Sequence, residues 1–331
     1  MGTAAYALMA IAIAACGRIN FNPLGGDGAE SDVRCTTLVQ TCGPSGSSSC
    51  CESIVVPAGT FYRSYDGVGF NDIGNPATVS AFRLDKYEVT VGRFREFVDA
   101  GRGTQQNPPL ANAGARTLNG VAGQGGWDAT WDVNLAADTT ALRGALTCDA
   151  TFRTWTDAVG GNESRPMNCT DWYVAMAFCI WDGGFLPTDA QWNYAAAGGN
   201  LQRAFPWSNP AGDLTIDGSY ASYNDGTNCV GDGLAGCALT DLVNVGSKPA
   251  GVGVWGHSDL SGNVWEWILD YYSPQFPLPC DDCANLTAAV HRTGRGGGWG
   301  NAVSTQRVGY HGNNDPLARF NSVGFRCARP L

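Results

Sequence analysis

The segment Asp259-Leu260-Ser261-Gly262-Asn263-Val264-Trp265-Glu266-Trp267 holds two tryptophans, a glycine and two carboxylates within nine residues. No regular helix or strand needs that combination, whereas a turn that wraps an ion and anchors itself with aromatic side chains does. Asp259 and Glu266 place carboxylates seven residues apart, and Gly262 permits a backbone that turns carbonyl groups inward. Calcium takes carboxylate and carbonyl oxygens around such flexible turns. The alternative is an ion-free turn in which Asp259 caps a backbone N–H and Glu266 pairs with an arginine.

Outward from this segment, the 331-residue chain carries a net charge of −10, with 15% charged residues, 45 glycines and 11 tryptophans. That balance predicts irregular backbone held by aromatic packing. The 44% apolar content suffices for a core. The acidic excess argues against nucleic acid as a partner and is compatible with divalent cations.

The N-terminus contains an uncharged apolar run from Ala4 to Ala15 that is too short to span a bilayer and fits a signal-peptide core. It closes on Ile13-Ala14-Ala15-Cys16-Gly17, which is similar to a bacterial lipobox, although the first basic residue is Arg18. Residues 1–16 are therefore expected to be a lipoprotein signal, with Cys16 lipidated. This predicts an exported lipoprotein of a bacterial cell envelope, attached to the membrane through its lipid anchor. Thirteen cysteines less Cys16 leave an even twelve, as expected for disulfides in an oxidising compartment. Cys280-Asp281-Asp282-Cys283 has C-x-x-C spacing, but no second pair or histidine cluster completes a zinc site.

Residues 17–53 read as a tether followed by a segment containing Cys35, Cys42, Cys50 and Cys51, and residues 54–331 as the main domain. Ile54 to Phe61 predicts a strand closed by Pro57 and Gly59, and Val79 to Tyr87 predicts another. Thr90 is suited to cap a helix ending near Ala100, and Thr170 or Asp171 a helix through Ile180. Thr188-Asp189-Ala190-Gln191 forms a capping box for a third helix, which Gly198-Gly199 stops. No regular element is evident between Gly103 and Asp138.

Several segments, taken in order, resemble one family. They are Asp85-Lys86-Tyr87-Glu88-Val89-Thr90, the helix pair from Cys179 to Ala196, Phe205-Pro206-Trp207, the segment from Asp259 to Trp267, Arg295-Gly296-Gly297-Gly298-Trp299, and Gly324-Phe325-Arg326-Cys327. The chain resembles the formylglycine-generating enzyme, or sulfatase-modifying-factor, family from about Ile54 to Arg329. The resemblance implies an α+β fold, an irregular C-type-lectin-like variant with little regular secondary structure. It implies a disulfide between Cys179 and Cys327. A second family bridge has lost both ends here, since Ala196 holds one position and no cysteine lies between Cys283 and Cys327. It also implies calcium ligands at the Asp259 side chain, the Gly262 and Val264 carbonyls, and the Glu266 side chain, with calcium in a structural role. A further family calcium site would fall near Asn224, Asp225 and Asp232.

Family members that oxidise a substrate cysteine to formylglycine bind copper(I) through two cysteines after the Gly-Gly-Ser-Trp-like motif. In this chain those positions are read as Asn301 and Gln306, and an amide does not replace a thiolate for a soft ion. Copper is therefore not expected as a cofactor, and no catalytic residue can be named. His257, His291 and His311 are too scattered to suggest the iron site of a related branch. These features favour a non-catalytic binding or scaffold protein, with Trp299, Arg307, Tyr310, His311 and Arg319 as groove residues suited to a peptide or glycan. The alternative is an oxidase of the family that uses another metal site.

Overall fold

The computed structural model describes Met1 and residues 41–331. The signal segment, Cys16, Cys35 and the tether up to residue 40 lie outside the described residues. Among the described residues, no helix is long and apolar enough to cross a membrane.

Short strands and four short helices build the domain. β1 (Ser53–Val56) runs antiparallel to β4 (Phe82–Asp85), which also pairs with β11 (Ala328–Arg329). The two ends of the domain therefore share one sheet. β2 (Gly59–Tyr62) and β3 (Pro76–Val79) form a separate antiparallel pair. The continuous strand expected from Val79 to Tyr87 is instead broken at Ser80-Ala81. There the Ser80 N–H and hydroxyl both donate to the Asp282 carboxylate at 2.6 Å, so the backbone leaves one sheet and joins the other.

α1 (Val91–Asp99) is capped by Thr90, whose hydroxyl accepts the Arg93 N–H. The stretch from Gly103 to Asp138, in which the sequence showed no regular element, does contain some. β5 (Arg116–Leu118) and β6 (Val121–Gln124) form a hairpin around Asn119-Gly120, both of which have positive φ. An Asn-Gly pair is the favoured two-residue hairpin turn because both positions must be left-handed. Asp128 then caps a 3-10 turn at Ala129–Asn134, and Asp138 caps α2 (Thr139–Ala145).

α3 (Trp172–Trp181) starts at Asp171, which accepts the Val174 N–H at 2.8 Å. α4 (Asp189–Ala197) has the complete Thr188/Gln191 capping box and ends at left-handed Gly198. α4 and most of α3 are buried around their full circumference. Both lie inside the molecule and show no single apolar stripe. β7 (Trp265–Tyr271) is the central strand of a second sheet, ordered β10-β7-β8-β9, with β8 (Arg292–Arg295), β9 (Gly312–Asn314) and β10 (Val323–Gly324). β10 runs parallel to β7, and the other pairings are antiparallel. The architecture is α+β and C-type-lectin-like.

Aromatic side chains fill the core. Phe94, Phe97, Phe178 and Phe325 form one cluster between α1, α3 and the C-terminal segment, with Phe94 stacked on Phe178 and the Phe97–Phe178, Phe94–Phe325 and Phe178–Phe325 contacts edge-to-face. Two of the buried indole N–H groups find backbone acceptors: Trp172 donates to the Ile268 carbonyl at 2.8 Å and Trp267 to the Thr170 carbonyl at 3.0 Å. Tryptophan can be buried here because its one polar atom is satisfied.

Disulfides fasten this framework. Cys179 in α3 is bonded to Cys327, and Cys42–Cys50, Cys148–Cys169, Cys229–Cys237 and Cys280–Cys283 are also joined. The cysteine-rich segment read as separate from the main domain in fact packs on it from Cys42 onward. Cys42 and Cys50 cluster with Tyr87 and Val245, and the Gly43 N–H donates to the Val245 carbonyl.

The carboxylates of Asp85 and Asp182 are both bridged by Arg93 and by Arg329 beside the Cys179–Cys327 bond. Cys327, Asp85 and Asp182 form the one cluster of side-chain donors of metal-site size among the described residues, but the sulfur is in a disulfide and both acids are held by guanidinium groups. Arg326 is fully buried. It donates to both oxygens of Glu266 at 2.9 and 2.8 Å and to the backbone carbonyls of Asp85, Lys86 and Ser258.

Two outcomes follow for stability. The Cys179–Cys327 bond closes 148 residues of sequence separation, so Cys179→Ala with Cys327→Ala should cost about 5 kcal/mol in denaturant unfolding. Arg326→Met strands the Glu266 carboxylate in the interior and should cost about 3–5 kcal/mol; a loss under about 1 kcal/mol would mean that the ion pair is not what holds these segments together.

Candidate functional site

The Asp259–Trp267 turn enters β7 through three left-handed residues, Asp259, Gly262 and Asn263. Gly262 is required twice over: its φ is 86°, and a Cβ there would sit 2.4 Å from the Ser222 carbonyl oxygen. Asn263 acts as the cross-brace. Its side-chain N–H donates to Glu88 at 2.6 Å, its side-chain oxygen accepts the Val243 N–H, and its carbonyl accepts the Trp299 N–H. Glu88 also accepts the Val264 N–H at 3.1 Å.

The two acids assigned to calcium have partners of the ion-free kind. Asp259 accepts the Gly246 N–H at 2.6 Å. Glu266 holds Arg326 and also accepts the Trp192 indole N–H at 2.8 Å. Charge is nonetheless in excess at this site. Glu88, Asp259 and Glu266 are all buried and act on one another, and Arg326 is the guanidinium they share. Burial, followed by the neighbouring charges of Asp259 and Glu266, pushes Glu88 well above the usual carboxylate range. Burial pushes Asp259 up to about 6, against the opposing pull of the Gly246 N–H and Arg326. Three acids facing one guanidinium fit a divalent cation, because it would supply the missing positive charge. Glu88, within Asp85-Lys86-Tyr87-Glu88, was not picked out as a site residue. Its signal is an acid two residues before the helix cap Thr90, which on its own does not point to a distant loop.

The second calcium candidates do not face a common point through the contacts they make. Asn224 caps Gly226, Asp225 caps Thr227 and Asn228, and Asp232 caps Leu234 and receives the Thr240 hydroxyl.

The loop after β8 contains the two positions where the family has its copper cysteines. Asn301 accepts the Trp265 indole N–H at 2.9 Å through its side-chain oxygen. Gln306 is fully buried, and its amide N–H groups donate to the Gly298 and Asn301 carbonyls. Both amides serve as braces for their own loop. Every cysteine from Cys42 to Cys327 is disulfide-bonded, so the described residues offer no free thiol.

Among the groove residues expected from the sequence, Arg307 and Tyr310 meet at Phe70, and Trp299, His311 and Arg319 have other partners. Trp299 is buried against Phe152, with ring centroids 4.7 Å apart. Arg307 pairs with Asp66, and Arg319 with Asp171. Tyr310 packs on Trp265 and Phe70, while His311 stacks on Phe276. Burial and the nearby Arg295 hold the His311 imidazole down to about 4, so it is neutral near pH 7. His257 is buried in the core and is likewise held down, to about 3.

A cavity of about 570 Å³ opens elsewhere, between the β5–β6 hairpin, the end of α3 and the start of α4. Its lining includes Arg116, Leu118, Ile180, Phe185 and Pro330 and none of the groove residues expected from the sequence. No local pattern points to it, because its walls come from five distant segments.

Comparison with known proteins agrees with this architecture. Residues 39–331 match the sulfatase-modifying factor enzyme 1-like domain. The formylglycine-generating enzyme of Streptomyces coelicolor is 28% identical over 267 residues, covering 75% of this chain and 77% of that protein. The inactive C-alpha-formylglycine-generating enzyme 2 of Mus musculus is 26% identical, covering 82% and 84%. The solved structure of PvdO from Pseudomonas aeruginosa superposes with a TM-score of 0.53 at 19% identity, covering 85% of this chain and 95% of that one, a likeness of fold. The chain belongs to the formylglycine-generating enzyme (sulfatase-modifying factor) family.

Proposed function

We propose that this chain is a non-catalytic member of its family, a binding or scaffold domain held at a bacterial cell surface by a lipid on Cys16. The observation that carries the reading is the pair Asn301 and Gln306. Copper(I) needs thiolates, and these positions offer two amides, whose hard oxygen and nitrogen atoms do not replace them; Asn301 is held by Trp265, and the Gln306 N–H groups bond the loop backbone. Disulfide bonding of all the described cysteines removes any substitute thiol nearby. The existence of a relative named as inactive is consistent with a family that keeps the fold without the oxidation. Export is supported by the disulfide content, since such bonds persist in oxidising compartments. A peptide or a glycan is the proposed ligand class.

Calcium is proposed as a structural ion at the Asp259 turn. The Asp259 and Glu266 carboxylates and the Gly262 and Val264 carbonyls would hold it, and its charge would offset the repulsion among Asp259, Glu266 and Glu88. When bound, the ion would fix the turn that carries Asn263 and hence the loop starting at Trp299.

Two measurements test these readings. The purified protein, incubated with copper and a cysteine-containing sulfatase-motif peptide, should yield no aldehyde above the background without protein. Turnover there would establish the oxidase alternative and reject the binding role. Thermal unfolding with calcium should have a higher midpoint than with chelator, by a few degrees if the ion is present at about ten times its Kd; an identical midpoint would remove the calcium site.

A further inference from the structure

We propose that the cavity beside Arg116 binds a carboxylate attached to an apolar body. Arg116 lines the cavity, and its guanidinium lies flat over the Phe185 ring, 3.7 Å from the centroid. Of its donors, Nη2 reaches the Leu186 carbonyl at 3.2 Å, while Nε and Nη1 are buried and donate to nothing. A buried guanidinium with open donors is costly, and burial lowers its affinity for the proton, to a pKa of about 9.

The nearest acids do not relieve it. Asp282 also lines the cavity, but its two oxygens accept the N–H and hydroxyl of Ser80. Asp270 accepts the N–H groups of Asp189 and Asn285. Both act on Arg116 through space only. A ligand carboxylate would give Nη1 the acceptor it lacks and could take the second N–H of Nη2 beside it, the end-on fork that arginine offers to a carboxylate.

The rest of the cavity selects the body of the ligand. Phe82, Leu118, Ile180, Phe185 and Pro330 provide apolar walls. Its volume of about 570 Å³ lies within the range of small-molecule sites. Stacking on Phe185 holds the guanidinium in place before a ligand arrives, which reduces the ordering cost of binding. The site shares no lining residue with the Asn301–Gln306 loop, so it does not depend on whether the family's oxidation is lost.

Two sources have this chemistry: a small aryl or alkyl carboxylate, and the C-terminal carboxylate of a peptide with an apolar last residue. Calorimetric titration of the full chain with disulfides formed distinguishes them. The probes are hydrocinnamate and its amide, and a tetrapeptide ending in phenylalanine, as free acid and as amide. We expect at least one acid to bind about tenfold or more tightly than its amide. Saturation by hydrocinnamate identifies a small-acid site, and saturation by the peptide acid alone identifies a chain terminus. Arg116→Gln should remove the acid's advantage, and Arg116→Lys should retain part of it, because lysine keeps the charge but loses the fork. Equal binding of acid and amide, no binding of either acid at millimolar concentration, or an unchanged acid affinity in a folded Arg116→Gln variant would each overturn the assignment. The acid–amide comparison uses the unaltered chain, so it decides the matter even if both variants misfold.

Discussion

The contact between Arg326 and Glu266 organises the domain. It joins the C-terminal segment to β7 and, through the Asp85, Lys86 and Ser258 carbonyls, to the end of β4 and the start of the diagnostic turn. A guanidinium suits this position because its planar fork can serve a carboxylate and several carbonyl oxygens at once. A fully buried ion pair adds little to stability relative to apolar packing, but removing one partner is severe. The pair therefore contributes mainly specificity, because only one arrangement of these three segments satisfies every donor and acceptor. The Asp85, Arg93, Asp182 and Arg329 network works in the same way around the adjacent disulfide.

Much of this framework was legible in the sequence, and the physical reasons are local. Capping residues act within one helical turn, so Thr90, Asp171 and the Thr188/Gln191 box could be located without knowledge of the fold. The β5–β6 hairpin was equally local, since Asn119-Gly120 carries its signal, but the glycine- and alanine-rich surroundings masked it. The strand break at Ser80 was not legible, because its cause, Asp282, lies about two hundred residues away.

The candidate site divides along the same line. Asn301 and Gln306 could be located only through the family resemblance, by their place after Gly298-Trp299, and their chemistry then follows from residue type. That they brace the loop depends on Trp265 and on carbonyls placed by tertiary packing. Glu88 and Arg116 share a common difficulty. Each matters because of charges or walls supplied by remote segments, which no spacing rule encodes. The tryptophans of the Asp259–Trp267 segment serve the core: Trp267 bonds Thr170, and Trp265 packs on Tyr310 while holding Asn301.

The Cys179–Cys327 bond also decides what a single backbone cut does to the molecule. Long surface loops between α4 and β7, and between β7 and β8, all fall inside the ring it closes. A protease that cuts once in any of them produces two fragments that remain covalently joined, with β4 and β11 still paired. Such a nicked protein would migrate as an intact chain until it is reduced. The bond thus keeps the domain joined after one cut inside the ring, in addition to any effect on unfolding.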